Sequence, residues 1–234
     1  MTMPERDKPE HDTPEPDTPD ALLHLLTWLS PAFPTGGFAY SHGLESAVES
    51  GDVTSADTLL DWMTDLLHHG SGRNDAILLR HSHRTDDLAS IAAFAAASAP
   101  ARELAAETLH QGSAFTAAAR LWLPDTLART FAAIGPIAYP VAVGALAAAT
   151  GIAEDAATIA YLHAWTANLV SAGVRLIPLG QTAGLAVQHA LDPILHATAA
   201  LTRDLPLDAI ASACIAAEIA AMRHETQYTR LFRS

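Results

Sequence analysis

Apolar residues recur every three or four positions through most of this chain, and this spacing constrains its fold more than any other feature. One of the clearest stretches contains Ile159, Leu162, Thr166 and Leu169, whose side chains share one face of a helix. Nowhere do β-branched residues alternate with polar ones over the length of a strand. The pattern therefore predicts an all-α protein, a single multi-helix domain of about nine or ten helices.

The same pattern predicts several helix boundaries. Thr54 and Asp57 are spaced like a capping box that starts one helix, and Gly151 is placed to end another. The last two helices are predicted at residues 180–201 and from residue 207 to about residue 225.

The composition limits the classes of function that are open to this chain. Its net charge of −13 over 234 residues would be repelled by nucleic acid and by an anionic membrane surface, so we expect neither as a partner. No apolar run reaches the roughly 18 residues that cross a bilayer, and the acidic start lacks the features of a signal peptide. We therefore expect a cytoplasmic protein. The single cysteine, Cys214, excludes an intramolecular disulfide.

Three regions of the chain differ in composition. Residues 1–18 are acidic, rich in proline and poor in large apolar side chains, which predicts a disordered acidic tail. Residues 19–225 carry the helical pattern, and Pro19 suits the first turn of the first helix. Residues 226–234 follow the last strong helical pattern, and we predict that they form a C-terminal tail that binds a partner.

A loop from Ser30 to Glu45 interrupts the helical pattern near the start of the chain. Its two prolines stop the preceding helix, and two adjacent glycines allow backbone conformations that other residues avoid. Phe38 and Tyr40 are too large and apolar for a mobile linker. We expect an ordered loop that is either a structural connector or a recognition surface.

Three motifs follow one another in a fixed order along the chain. SPAFPTGGFAYSHGLESAVESG begins at Ser30, RLIPLGQTAG at Arg175 and ETQYTRLFRS at Glu225. Together they resemble the motifs of the UreF family of urease accessory proteins, in the order in which that family has them. Two positions depart from the pattern, since Ala39 stands where the family commonly has serine and Leu185 where it usually has glutamine.

The resemblance implies a function that composition and spacing do not indicate. Members of this family are all-α homodimers without catalytic activity or a cofactor. They bridge a UreD/UreH-type accessory protein and a UreG-type GTPase, so that nickel is delivered to apo-urease. The partner-binding residues that we predict on this basis are Phe38, Tyr40, Ser41, Glu45, Gly180, Gln181, Tyr228, Arg230, Leu231, Phe232 and Arg233.

The loop and the tail each allow a second interpretation. We expect the loop to recruit the GTPase, but its aromatic side chains could instead only fix it against the body. In the tail, Phe232 would be an apolar anchor in a partner, beside Arg230 and Arg233; the alternative is a tail folded back onto its own body. Gly180 and Gly184 could likewise allow a close helix crossing rather than bind a partner.

Twelve histidines raise the alternative of a metallochaperone that binds nickel itself. Ligands on one helix should lie three or four residues apart, whereas His68 and His69 are adjacent and His81 and His83 are two apart. We therefore predict no preformed metal site within one chain. A site shared across a dimer, with His11 or His42 contributing, stays open.

The sequence gives little support for a set of catalytic residues. The chain has no G-x-S-x-G motif and no plausible cysteine nucleophile, which disfavours a generic helical enzyme with a buried pocket. The spacing of Glu218, His224 and Glu225 near the end of a helix indicates a solvated face, and His163 is expected to be a core histidine.

Overall fold

The computed structural model describes residues 19–234, and every regular element in that range is helical. The α-helices are α1 (Pro19–Trp28), α2 (Leu44–Glu49), α3 (Ala56–His69), α4 (Ser71–Arg84), α5 (Leu88–Ala97), α6 (Arg102–Ala118), α7 (Asp125–Ile134), α8 (Tyr139–Ala149), α9 (Glu154–Leu176), α10 (Gln181–Thr202) and α11 (Ile215–His224). Ten of these have ten residues or more, and α2 has six. The predicted all-α fold is confirmed, whereas the acidic tail predicted for residues 1–18 lies outside the described residues.

Helix α8 is the centre of the fold, with α4, α6 and α9 packed around it. Its residues from Pro140 to Ala147 are all buried. The crossing with α4 is very close, because a Cβ atom at Gly144 would lie 2.3 Å from the carbonyl oxygen of Leu79. Only glycine fits at that crossing. Between residues 19 and 234, no helix is both long and apolar enough to span a membrane.

The remaining helices place the two unusual segments of the sequence side by side. Helix α10 packs on α3 and α9, while α11 packs on α2 and α6. The Ser30–Glu45 loop leads into α2, and residues 226–234 follow α11. The loop and the tail therefore meet on one side of the helical body.

Helix starts agree with the sequence at some positions and differ at others. Helix α1 begins at Pro19 as expected. The capping box of α3 lies one residue later than the Thr54 and Asp57 pair that the sequence suggested. Ser55 Oγ accepts from the backbone N–H of Thr58 at 3.2 Å, and Thr58 Oγ1 accepts from that of Ser55 at 2.9 Å. Serine is a better N-cap than threonine, which favours Ser55 over the adjacent Thr54.

The last predicted helix is shorter than expected. The pattern suggested a helix from Leu207 to about Glu225, but a 3₁₀ turn at Leu207–Ala209 is followed by non-helical backbone up to Cys214. Tertiary hydrogen bonds hold this segment instead. Arg73 donates to the carbonyl of Ala209 at 2.9 Å, and the N–H of Ala213 donates to the carbonyl of His69 at 2.9 Å.

Candidate partner-binding site

The Ser30–Glu45 loop is ordered through backbone conformations that few residues adopt. Gly36 and Gly43 have φ values of 75° and 79°, and His42 has a φ of 58°. Gly43 also lies directly against α11, because a Cβ atom there would be 2.8 Å from the backbone nitrogen of Ala221. The side-chain amide of Asn168 donates to the carbonyl of Gly37 at 3.0 Å. The loop is thus fixed to both α9 and α11.

The end of the tail pairs with the backbone of this loop. The N–H of Arg233 donates to the carbonyl of Ala39 at 2.8 Å, and the N–H of Ser41 donates to the carbonyl of Ser234 at 3.0 Å. The Ser41 hydroxyl donates to the same Ser234 carbonyl. The N–H of His42 reaches Ser234 Oγ at 3.3 Å. These bonds join segments about 190 residues apart in sequence, which no local pattern could indicate.

Glu45, in the first turn of α2, is the main acceptor for the tail. Its carboxylate accepts from the N–H groups of Leu231 at 2.7 Å and Phe232 at 3.0 Å. His224 Nε2 lies 3.1 Å from the same carboxylate. The Glu45 side chain is buried, so these three groups satisfy a charge that would otherwise be costly to remove from water.

Helix α6 supplies two more carboxylates on one face, four residues apart. Glu103 lies 2.6 Å from His224 Nδ1 and accepts from the Arg230 guanidinium at 2.7 Å. Glu107 accepts from the Ser234 hydroxyl at 2.5 Å and lies 3.3 Å from His42 Nδ1. Three carboxylates from α2 and α6 therefore hold the tail.

The tail has one buried aromatic side chain and two exposed apolar ones. Phe232 is 6% exposed, and the Arg175 guanidinium of α9 lies 4.4 Å from its ring centroid in a cation–π contact. Tyr228 is fully exposed and Leu231 is 76% exposed. The tail thus covers its own body with Phe232 and presents Tyr228 and Leu231 to solvent.

A cavity of about 280 Å³ borders the loop at His42, and Glu107 of α6 forms another part of its wall. Burial lowers the pKa of His42, but the Glu107 carboxylate outweighs this effect and the pKa lies above its ordinary value of 6.5. Burial raises the pKa of Asp75, another wall residue, from 3.8 to about 6, although the Tyr161 hydroxyl donates to it at 2.6 Å. His42, whose backbone N–H reaches Ser234, therefore places a titratable ring next to the docked tail.

The structure divides the predicted site residues into two groups. Phe38, Gly180, Gln181, Tyr228, Arg230, Leu231 and Arg233 are exposed, while Tyr40, Ser41, Glu45 and Phe232 are buried. In the arrangement described here these four side chains contact other parts of the chain, and their direct contact with a partner stays a prediction. They hold the loop and tail together. None of the hydrogen bonds described above for the tail involves Gly180 or Gln181.

Several site residues were missed in the sequence. His224 was assigned to a solvated face but is fully buried between Glu45 and Glu103, whereas His163, expected in the core, is exposed. Glu103 and Glu107 had one available signal, a spacing of four that places both carboxylates on one face of α6. Across residues 19–234, no cluster of three or more His, Cys, Asp or Glu side chains could hold a metal ion.

The fold and this site define the chain as an all-α protein in which a long loop and a tail pack together on the body. Comparison with known proteins is more specific. The UreF family model matches residues 53–192. A protein named "Urease accessory protein UreF" from Roseobacter denitrificans is 47% identical to this chain, and the match covers 92% of this chain and 95% of that protein. A protein of the same name from Bradyrhizobium sp. BTAi1 is 50% identical, and the match covers 92% of each chain. The chain belongs to the UreF family of urease accessory proteins.

Proposed function

We propose that this chain is a non-catalytic accessory factor that bridges a UreD/UreH-type accessory protein and a UreG-type GTPase during urease maturation. Nickel is then the cargo of the assembled complex, delivered to apo-urease, and the chain itself needs no cofactor. The complex acts in the cytoplasm, with this chain as a homodimer. Membership of the UreF family supports the general role, and the loop–tail site supports the way in which partners are bound.

A set of exposed apolar side chains on α11 and on the docked tail carries this proposal. We name it the tail surface, and its residues are Ile215, Ile219, Met222, Tyr228 and Leu231. The first three recur at intervals of four and three, so they form one stripe along α11. Such exposed apolar groups on a fixed scaffold are typical of a docking site.

The charge around the tail surface favours a partner with an acidic face. Arg223, Arg230 and Arg233 are exposed close to it in sequence, in a chain whose net charge is −13. Arg230 is held by Glu103 and is therefore oriented before a partner arrives. We assign this surface to the UreD/UreH-type protein, because arginine beside apolar anchors gives both affinity and orientation.

The loop offers a separate contact for the GTPase. Phe38 is 70% exposed, although neighbouring Tyr40 is buried with its hydroxyl 3.3 Å from His110 Nδ1. Gly180 and Gln181 are also exposed, at the start of α10. We propose that Phe38 makes direct contact with the UreG-type protein, while Tyr40 supports the loop from within.

Co-purification with the UreD/UreH-type protein tests the tail surface. A chain with Tyr228→Ala and Leu231→Ala should lose affinity, because each side chain contributes roughly 1.5–3 kcal/mol when buried, or about tenfold or more in Kd. Stability should stay unchanged, since both side chains are exposed. Leu121→Ala is the matched control: Leu121 is 89% exposed and lies 18 residues beyond Glu103, past the far end of α6. Equal capture by all three chains would refute the assignment.

A further inference from the structure

The cavity of about 280 Å³ beside the loop combines negative charge with an apolar, aromatic wall. Asp75, Glu107 and Glu218 belong to this wall, and His42 is its one basic residue among residues 19–234. We propose that the cavity binds a small organic cation, an amine or amidine carried on an apolar body, with its charged end at Asp75. This site goes beyond the proposed function and does not depend on it.

Asp75 is the carboxylate in the wall that lacks a cationic partner. The neutral Tyr161 hydroxyl donates to it at 2.6 Å, and between residues 19 and 234 no arginine, lysine or histidine forms an ion pair with it. Burial raises the pKa of Asp75 to about 6, so its surroundings stabilise the charged form poorly. A bound cation would supply the missing partner.

Glu107 differs from Asp75 because its own partners already occupy it. Its carboxylate accepts from the Gln111 amide at 3.3 Å and from the Ser234 hydroxyl at 2.5 Å, and it lies 3.3 Å from His42 Nδ1. Its charge also helps to raise the pKa of Asp75. Glu107 therefore adds negative potential to the cavity, while Asp75 is left to bind the cation.

Aromatic side chains surround the space in front of Asp75. Tyr139, Tyr161 and Trp165 line the cavity, and the ring centroids of Tyr139 and Tyr161 lie 5.4 Å apart. The Trp165 ring lies 5.6 Å from that of His42. Aromatic rings pack against apolar groups and also attract cations. A carboxylate beside such rings therefore selects a positive charge on an apolar body.

The cavity is large enough for one ring with a short charged arm, and it is open to solvent. A cavity of about 150 Å³ holds benzene, and this one has about 280 Å³. Pro100, Ala211 and Ser212 belong to its wall and are exposed. The opening thus lies between the α5–α6 connection and the segment that precedes α11, and a ligand enters while the chain stays folded.

Two probes of equal shape test the need for charge. Benzylamine carries an ammonium group at neutral pH, and benzyl alcohol carries a neutral hydroxyl in its place. In an NMR titration of the full chain at about pH 7, we expect benzylamine to bind about tenfold more tightly, because a charge-assisted hydrogen bond is stronger than a neutral one. Equal affinity of the two probes, or no binding of benzylamine, would overturn the proposal.

The indole N–H signals show where the probe binds. The chain has four tryptophans, of which Trp165 lines the cavity. Its signal is identified from a Trp165→Phe variant and should move as benzylamine is added, while the other three stay in place. Movement of the other signals without that of Trp165 would place the binding elsewhere and contradict the assigned site.

Asp75→Asn tests the charged end of the site. The substitution keeps the shape of the side chain and removes its charge, so benzylamine should bind about tenfold more weakly while benzyl alcohol binds as before. Asp61→Asn is the matched control, because Asp61 is exposed on α3 and lies outside the cavity wall. Benzylamine affinity that is the same in Asp75→Asn as in the unaltered chain would refute the role of Asp75.

The pH dependence in the unaltered chain gives the same test if Asp75→Asn does not fold. Asp75 loses its charge below its pKa of about 6, so benzylamine affinity should fall about tenfold from about pH 7 to about pH 5. Protonation of His42 acts in the same direction. The other wall groups with shifted pKa values, Tyr139, Tyr161 and Cys214, have values raised above their ordinary ones and stay neutral. Constant benzylamine affinity over this range would contradict the proposal.

Discussion

Glu45 shows how far a single residue can be understood from the sequence. It lies within a recognisable motif, and the sequence suggested an exposed contact for the GTPase. In the structure it is buried and accepts from two tail N–H groups and faces His224. Its partners lie 179 to 187 residues away, so no local pattern could reveal its role.

Replacing Glu45 by glutamine tests this role. Glu45→Gln keeps the shape of the side chain but removes the charge that accepts three contacts, and hydrogen bonds to charged groups contribute about 1.5–3 kcal/mol each. We expect the free energy of unfolding to fall by about 2 kcal/mol or more, measured by urea denaturation. Glu49→Gln, an exposed residue on the same helix, should change it by less than about 0.5 kcal/mol. Equal effects of the two substitutions would contradict the account of Glu45.

Helices were predicted better than partner-binding residues, because the period of apolar residues that marks a helix is visible in a short stretch of sequence. The period of apolar residues placed α9 and α10 well, and Gly151 ends α8 with a φ of 72° as its position suggested. The helix at Asp125–Ile134 was not predicted, since it is short and enclosed between Pro124 and Gly135. The prediction of a helix starting at Leu207 was wrong for a different reason. Tertiary hydrogen bonds hold this segment in place of the hydrogen bonds of a helix.

Helix α1 carries the exposed face that suits the proposed homodimer. Leu22, Leu23 and Leu26 are each more than half exposed, and α1, α9 and α10 form a groove in which exposed His163 is one wall residue. An apolar helix face of this kind is normally covered by another surface.

Charge introduced on α1 tests this arrangement. With Leu22→Glu and Leu26→Glu together, a dimer at this face should dissociate, because two glutamates from each copy would be buried without partners. Light scattering after size exclusion should then report half the mass of the unaltered chain. Leu121→Glu, at another exposed leucine, should leave the mass unchanged. A doubly substituted chain that stays dimeric would place the dimer contact elsewhere.

At the scale of the whole molecule, a helical body carries a loop and a tail that are hydrogen-bonded to each other. The body could be predicted from apolar spacing, and the motifs identified the family. The packing of the loop against the tail could not be predicted from the sequence. It depends on contacts of Glu45, Glu103 and Glu107 with residues near the C-terminal end of the chain. Tyr40, Ser41, Glu45 and Phe232, which the sequence predicts as partner-binding residues, make internal contacts in the structure.

The most direct test of the account is the nickel content of urease produced together with its accessory proteins. With Tyr228→Ala and Leu231→Ala in this chain, we expect urease to contain several-fold less nickel per active site, because complexes with the UreD/UreH-type protein form less often. Leu121→Ala should support the same nickel content as the unaltered chain. Full nickel loading of urease with the doubly substituted chain would contradict the claim that this protein acts through its tail surface.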